Sequence, residues 1–215
     1  MIPIFDLLPG LLPGIQVTVE LTIISAVLAF ITAFIVGLAR LSKNSLTRVS
    51  ATVFVEFFRG TSLLVQMFWA FFVLPFFGVQ LTAMQAGILI LGLHYGAYSS
   101  EIVRSSILAV PKGQTEAGIA LNMTRAQIMY RIILPQAIVR MLPAFGNNLI
   151  EMLKGTALVS LITLSDLMFQ GVLIRSATFR TTETFSLVLL IYFVLALPLT
   201  FSVRWFERRL SRGRA

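Results

Sequence analysis

The feature that most restricts this chain is a recurrence of apolar runs long enough to cross a lipid bilayer. No Asp, Glu, Lys or Arg occurs between Gly60 and Ser100, a gap that a hairpin of two half-spans accounts for. A transmembrane helix needs roughly 20 predominantly apolar residues. The hydropathy pattern places five of them, near residues 15–39, 50–76, 82–108, 142–167 and 184–206. Of the 215 residues, 57% are hydrophobic and 12% charged, against about a quarter charged in a soluble domain. The expected fold class is an all-α integral membrane protein, with residues 1–215 forming one transmembrane domain.

An odd number of spans puts the termini on opposite sides. With the N-terminus outside, twelve bases face the cytoplasm: Arg40, Lys43 and Arg48; Lys112, Arg125, Arg131 and Arg140; Arg204, Arg208, Arg209, Arg212 and Arg214. Two lie outside (Arg175 and Arg180) and three within spans (Arg59, Arg104 and Lys154). The excess of Lys and Arg in cytoplasmic loops therefore predicts N-terminus out and C-terminus in. The net charge of +8 follows this loop pattern, not a phosphate-binding face, and argues against nucleic acid as a partner. The chain has no cysteine and one histidine, which removes disulfide and thiolate chemistry and leaves no basis for a His-based metal site. No cofactor is expected. The opening M-I-P-I-F-D-L-L-P-G lacks the basic start of a signal peptide and is expected to be retained.

One cytoplasmic loop, at about 111–140, differs from the others. It reads as two short helices, T-E-A-G-I-A-L and T-R-A-Q-I-M-Y-R-I-I-L, broken at Asn122-Met123. Thr124 followed three residues later by Gln127 fits a capping box. An amphipathic helix pair this close to a membrane lies on the bilayer or docks into a partner.

The motif E-A-G-I-A-L-N-M-T-R-A-Q-I-M-Y-R-I-I-L-P resembles the coupling loop of ABC-importer permeases, in which Glu-Ala-Ala is followed by Gly and then by Ile-x-Leu-Pro. Glu116, Ala117, Ile132, Leu134 and Pro135 match in identity and spacing; Gly118 stands for the second Ala and Asn122 for the Gly. If the turn needs a positive φ, Asn is the next-best residue after Gly. F-R-G-T-S-L-L-V-Q-M-F-W, G-A-Y-S-S-E-I-V-R, V-P-K-G-Q-T-E-A and L-P-A-F-G-N-N-L-I look like polar-amino-acid permeases of the histidine/glutamine/arginine type. Two departures are Ser62 where Pro is usual and Gly155 where an acid or Asn is common. A-L-N-M, K-G-T-A-L-V-S-L-I-T-L-S-D-L and L-I-R-S-A-T look most like the ectoine/hydroxyectoine branch.

This resemblance implies a type I ABC-importer permease fold in a bacterial plasma (inner) membrane. It also implies three partners: an extracytoplasmic solute-binding protein, a second permease subunit (a heterodimer favoured, a homodimer possible) and an ABC ATPase dimer on the coupling loop. The chain contains no G-x-x-x-x-G-K-[ST], so it cannot itself cradle nucleotide phosphates as a P-loop does. The favoured substrate is ectoine or hydroxyectoine, with a polar amino acid as the alternative. An ATP-independent secondary transporter is a further alternative, for which five spans are few, and a membrane enzyme has little to catalyse with.

Candidate functional residues begin with an internal similarity. E-F-F-R-G-T-S-L-L-V at residues 56–65 and E-M-L-K-G-T-A-L-V-S at residues 151–160 share an acid, a base three residues later, Gly-Thr and an aliphatic run. Residues three apart are neighbours on a helix, so Glu56–Arg59 and Glu151–Lys154 are each expected to pair. Ionisable groups inside a span face a bundle interior or a water-filled path, so the two copies suggest a parallel repeat around one path. The competing account is that Gly-Thr serves close packing and each pair neutralises itself.

The third span offers His94, Tyr98 and Ser99 as a polar-aromatic patch suited to a zwitterion, with Tyr95 its weakest member. Glu101 and Arg104, three apart, are a gate or a structural ion pair, as are Glu56 and Arg59. Asn147 and Glu151, four apart, form a polar wall opposite the third span, with Lys154 beside them and Gln66 from the second span. Helix–helix hydrogen bonding is the plainer reading for the amides. The C-terminal R-W-F-E-R-R-L-S-R-G-R reads as an anchor in the lipid headgroups.

Overall fold

The computed structural model describes residues 4–211; Arg212 and Arg214 of the orientation count lie outside them. The described chain is helical. The long helices are α1 (Leu8–Ala39), α2 (Ser45–Gly60), α4 (Ala83–Leu108), α7 (Leu134–Gly155) and α9 (Thr181–Ser211), and the shorter ones are α3 (Leu63–Phe68), α5 (Lys112–Ala120), α6 (Arg125–Ile128) and α8 (Leu167–Thr178).

Helix α1 turns small and hydroxylic side chains inward. Gly14, Thr18, Ser25, Ala29, Ala33 and Gly37 are buried, whereas Ile23, Val27, Phe30, Ile31 and Ile35 are exposed. Lipid is as apolar as a leucine, so helices in a membrane associate through close packing of small residues rather than through burial of large ones. Helix α4 packs along α1 and is also covered by α2, α3 and α7.

Three apolar clusters hold the bundle. Leu21, Met67, Ile90, Leu91, Met152 and Ile162 join α1, α3, α4 and the end of α7. Leu11, Leu167, Leu187, Val188 and Ile191 join α1, α8 and α9. Ala33, Val103, Ile107, Ala137 and Met141 join the far ends of α1, α4 and α7.

By length and apolarity three described helices can cross a membrane: Leu8–Ala39, Arg125–Ile162 and Thr181–Phe206. The pair Ser45–Gly60 and Leu63–Phe77 passes the same test together but bends by 104°. Helix α4 spans 26 residues. Its neighbours cover it, so it carries His94, Ser99 and Ser100 where a lipid-facing helix carries aliphatics.

Two expectations change here. The second span is not continuous. Helix α2 ends at Gly60, Thr61 and Ser62 are extended, and α3 leaves at a new angle. Three carbonyls at the break are bonded locally, Phe57 by Thr61 Oγ1 and Phe58 and Thr61 by Gln66 Nε2, which lowers the cost of a break in an apolar setting.

The second short helix expected in the loop at 111–140 is not separate either. It runs without interruption from Arg125 into α7 and on to Ile162. Pro135 has no N–H to offer the carbonyl one turn back, and the chain widens to a π-turn over Met129–Ile133, where Leu134 N–H bonds the Met129 carbonyl. The same device precedes Pro75, with a π-turn over Trp69–Val73 and Leu74 N–H on the Trp69 carbonyl. Helix α8, within the region between the fourth and fifth predicted spans, had no periodicity to announce it. Buried Asp166 caps its start, accepting from the Met168 and Phe169 N–H groups at 3.3 and 3.0 Å.

Candidate functional site

The polar patch on α4 is built around the break between α2 and α3. Gln66, on α3, directs its Nε2 back at that break and donates to the Phe58 carbonyl (3.0 Å), the Thr61 carbonyl (3.3 Å) and Thr61 Oγ1 (2.6 Å). Its Oε1 is left facing His94 Nδ1 at 3.0 Å. That arrangement makes Nδ1 a ring nitrogen that carries a proton and donates it to Gln66 Oε1. Gln66 and His94 are both buried, so together they secure the bend to α4.

His94 lies between two aromatic rings, Tyr95 at 5.4 Å and Tyr98 at 5.2 Å between centroids. Beyond it the patch opens outward. Tyr98 is 37% exposed, and the Arg59 guanidinium lies over its ring, 5.2 Å from the centroid. Arg59 and Glu56, expected to pair, form no ion pair: the described salt bridges leave both out, and both side chains are exposed. Arg59 takes the aromatic face instead. A guanidinium over a tyrosine gains roughly 0.5–1 kcal/mol even where solvent reaches it.

The other copy of the motif keeps its pair. Lys154 Nζ lies 2.9 Å from Glu151 Oε1, with side chains 60% and 61% exposed. Tyr95, set aside in the sequence, is what joins this copy to α4, because its hydroxyl donates to the Glu151 carbonyl at 2.9 Å. A Cβ on Gly155 would stand 2.6 Å from that hydroxyl, so the glycine that departs from the family pattern is the residue that leaves room for Tyr95. Helix α4 thus touches both decapeptides on adjacent turns, Tyr98 on Arg59 and Tyr95 on the backbone around Glu151.

The polar wall needs a correction. Asn147 is exposed beside Glu151 and does not face α4; Asn148 does, its Nδ2 donating to buried Ser99 Oγ at 3.0 Å. The signal was in the spacing. Asn148 is seven residues from Met141 and four from Met152, both buried, so it lies on the packed face of α7 and Asn147 lies about 100° away.

At the other end of α4, Glu101 is shared. Arg104 Nη2 lies 2.6 Å from Glu101 Oε1, and Arg40, the residue that caps the C-terminus of α1, bonds Glu101 Oε2. The expected i,i+3 pair is therefore two-thirds of a three-residue bridge that ties α1 to α4. Arg140 of α7 donates to the Ala109 carbonyl at the C-terminus of α4, and Gln136 Nε2 donates to Gln114 Oε1 of α5 at 3.1 Å.

Helix α5 presents Glu116 and Ala117 to solvent and buries Gly118. A Cβ there would stand 2.7 Å from Ile128, which is why this chain departs from Ala. Asn122 has φ 55°. Its N–H bonds the Ile119 carbonyl and Met123 N–H the Gly118 carbonyl, at 2.9 and 3.0 Å, the paired bonds of a Schellman helix end. The capping box forms: Gln127 N–H donates to Thr124 Oγ1 and Thr124 N–H to Gln127 Oε1, at 3.3 and 2.8 Å. Ile132 and Leu134 are half-buried, and Pro135 is exposed in the first turn of α7.

Residues 27–212 match the family model described as the binding-protein-dependent transport system inner membrane component. The chain is 46% identical over 184 residues to a probable amino-acid ABC transporter permease protein of Sinorhizobium fredii, covering 83% of this chain and 77% of the relative. It is 36% identical over 177 residues to the glutamine transport system permease protein of Escherichia coli, covering 81% of each. An L-cystine transport system permease protein of Bacillus subtilis is 38% identical over 179 residues, 81% of this chain and 75% of that one. Among solved structures, an amino acid ABC transporter crystallised with histidines superposes with a TM-score of 0.90 at 35% identity, covering 97% of this chain and 99% of that one. An inward-facing methionine ABC transporter chain, 20% identical, shares the fold at a TM-score of 0.79, covering 95% of this chain and 98% of that one. The chain belongs to the inner-membrane component family of binding-protein-dependent transport systems.

Proposed function

We propose that this permease carries a polar amino acid inward along the face where Tyr98, Arg59, Glu151 and Lys154 meet, and that an ATPase bound to α5 drives it. The chain is a permease subunit of an ABC importer of the amino-acid type, a transporter component rather than an enzyme. The observation that carries the substrate reading is the 46% identity to an amino-acid permease over four-fifths of the chain, with relatives named for glutamine and cystine beside it. It favours the amino-acid alternative over ectoine, whose support is limited to the short variants A-L-N-M, K-G-T-A-L-V-S-L-I-T-L-S-D-L and L-I-R-S-A-T.

The chemistry suits a zwitterion. Lys154 and Arg59 offer cations to a carboxylate, while Glu151 and the Tyr98 ring offer partners to an ammonium group. We place His94, Gln66, Ser99 and Asn148 behind this face, because His94 Nδ1 bonds Gln66, Gln66 bonds the helix break, and Asn148 Nδ2 bonds Ser99. Glu101, Arg40 and Arg104 close the cytoplasmic end of α1 on α4.

In this account the chain crosses the inner membrane five times, with the bent α2–α3 pair as one crossing and α4 as another, N-terminus outside. Glu116, Ala117, Gly118 and Asn122 shape the ATPase contact, with Ile132, Leu134 and Pro135 fastening it to α7. A second permease subunit, identical or homologous, faces the exposed charged side of α2 and α7. A solute-binding protein delivers the solute from outside.

The test is uptake of labelled glutamine, cystine and ectoine into vesicles containing the complete system, with and without ATP depletion. Uptake of an amino acid that stops without ATP supports the proposal. Ectoine outcompeting every amino acid restores the other substrate branch, and uptake unaffected by ATP depletion sinks the importer reading.

A further inference from the structure

We propose that α9 and the bundle hold one anionic phospholipid, with its acyl chain inside the protein and its headgroup on the arginines of the last turns. An apolar cavity of about 290 Å³ lies between α1, α4, α7 and α9. Its walls are aromatic and aliphatic, chiefly Phe30 and Phe34 of α1, Phe145 and Met141 of α7, and Val203 and Phe206 of α9. Tyr95, Ser99 and Asn148 reach it, but Tyr95 is bonded to the Glu151 carbonyl and Asn148 to Ser99. Nothing in this chamber receives a charged or zwitterionic solute, so it is not the transport path. It suits a hydrocarbon chain.

The length agrees. From Ile138 to Met152 the cavity follows α7 for roughly 20 Å at 1.5 Å per residue, along the helix axis as an acyl chain runs.

Phe206 fixes the charge of the occupant. It lines this chamber and also a second, basic pocket formed with Phe201, Ser202, Arg204, Trp205 and Arg208. Arg209 lies over the Trp205 ring, 5.1 Å from its centroid. A headgroup phosphate at Arg204 and Arg208 thus sits at the mouth of a chamber that takes the chain below it. The outer face of α9 is apolar and exposed at Leu189, Leu190, Phe193, Val194 and Phe201, so a lipid can enter from the side. The pairing of a basic mouth with an apolar shaft selects an anionic phospholipid over a zwitterionic one.

The test uses the protein purified in neutral detergent, in the assembly in which it is isolated, and so does not depend on membrane orientation or on the transported solute. Binding of long-chain phosphatidylglycerol, long-chain phosphatidylcholine, short-chain phosphatidylglycerol and inorganic phosphate is measured by native mass spectrometry and by the shift in melting temperature. Long-chain phosphatidylglycerol should bind tightest. Arg204→Gln and Arg208→Gln should each weaken it about fivefold, the scale of one basic residue near an anionic surface. Ala26→Leu, which narrows the chamber, should remove the advantage of the long chain while leaving phosphate affinity unchanged. Equal binding of the two long-chain lipids, equal binding of short and long chains, or full stabilisation by phosphate alone each overturns the proposal.

Discussion

The two decapeptides begin alike and end differently. In each, the α-helix stops at the glycine, Gly60 or Gly155, and the following threonine bonds back to a carbonyl of the last turn, Thr61 to Phe57 and Thr156 to Leu153, both at 2.7 Å. From there they part. After Gly60 the chain bends by 104°, and Gln66 caps what the bend exposes. After Gly155 it tightens into a 3-10 helix over Thr156–Ile162. The first copy gives up its ion pair for Tyr98; the second keeps its pair and accepts Tyr95 against its backbone. A repeated motif therefore specifies the helix end, while the neighbour on α4 decides what its charges do.

The glycines give the sharpest way to break that comparison. A Cβ on Gly60 meets nothing within 4 Å, whereas one on Gly155 stands 2.6 Å from Tyr95 Oη. Gly155→Ala should cost about 1–3 kcal/mol by overpacking and abolish most uptake, and Tyr95→Phe in the same chain should restore part of both. Gly60→Ala should be close to neutral. Thermal unfolding and uptake of the three variants check this, and equal damage from the two glycine changes would erase the distinction.

Gln66→Leu comes next. It leaves the Phe58 and Thr61 carbonyls and His94 Nδ1 without this partner, at about 1–3 kcal/mol for a buried group left unpaired. It should destabilise the protein while leaving the Glu151–Lys154 copy unaffected. A melting temperature equal to that of the unaltered chain would show that the bend does not depend on the amide.

The smallest effects on stability belong to the charges. Exposed ion pairs contribute about 0–1 kcal/mol, so Glu151→Gln should leave complex yield unchanged and lower uptake. Glu56→Gln, whose acid has no arginine to lose, should leave both near normal. Loss of uptake confined to Glu56→Gln would move the solute to the α2 side. On α5, Glu116→Lys should retain membrane insertion and ATPase activity but uncouple hydrolysis from uptake; normal coupling would remove α5 from the drive.

Much of this was legible in the residues, and what escaped had physical reasons. The cap and the turn of the 111–140 segment were clear because capping and turn chemistry are local: Thr124 with Gln127 and the left-handed Asn122 need only their neighbours. The bend at Thr61 was not, since a continuous apolar run looks the same whether or not a distant Gln66 folds back to satisfy it. The Glu56–Arg59 pairing failed for a related reason, because spacing sets which side chains can meet and tertiary packing supplies the competitor, here a tyrosine on another helix. Asn147 does not face α4 as expected, because one residue's step along α7 puts it on the open face beside Glu151 and puts Asn148 on the packed face. The substrate branch rested on short sequence variants rather than on contact chemistry.

The central claim is that both decapeptides border one water-filled path. The absence of cysteine allows a direct measurement with single cysteines at exposed positions, Glu56→Cys on α2, Asn147→Cys on α7 and, as a control on an exposed apolar face, Ile31→Cys on α1. The rate of reaction with a membrane-impermeant maleimide is followed in vesicles holding the complete transporter, with and without ATP and saturating amino acid. The account predicts that positions 56 and 147 react, that both slow together when ATP and amino acid are present, and that position 31 does not react. Reaction at only one of the two, or rates at both that ignore ATP and amino acid, would contradict it.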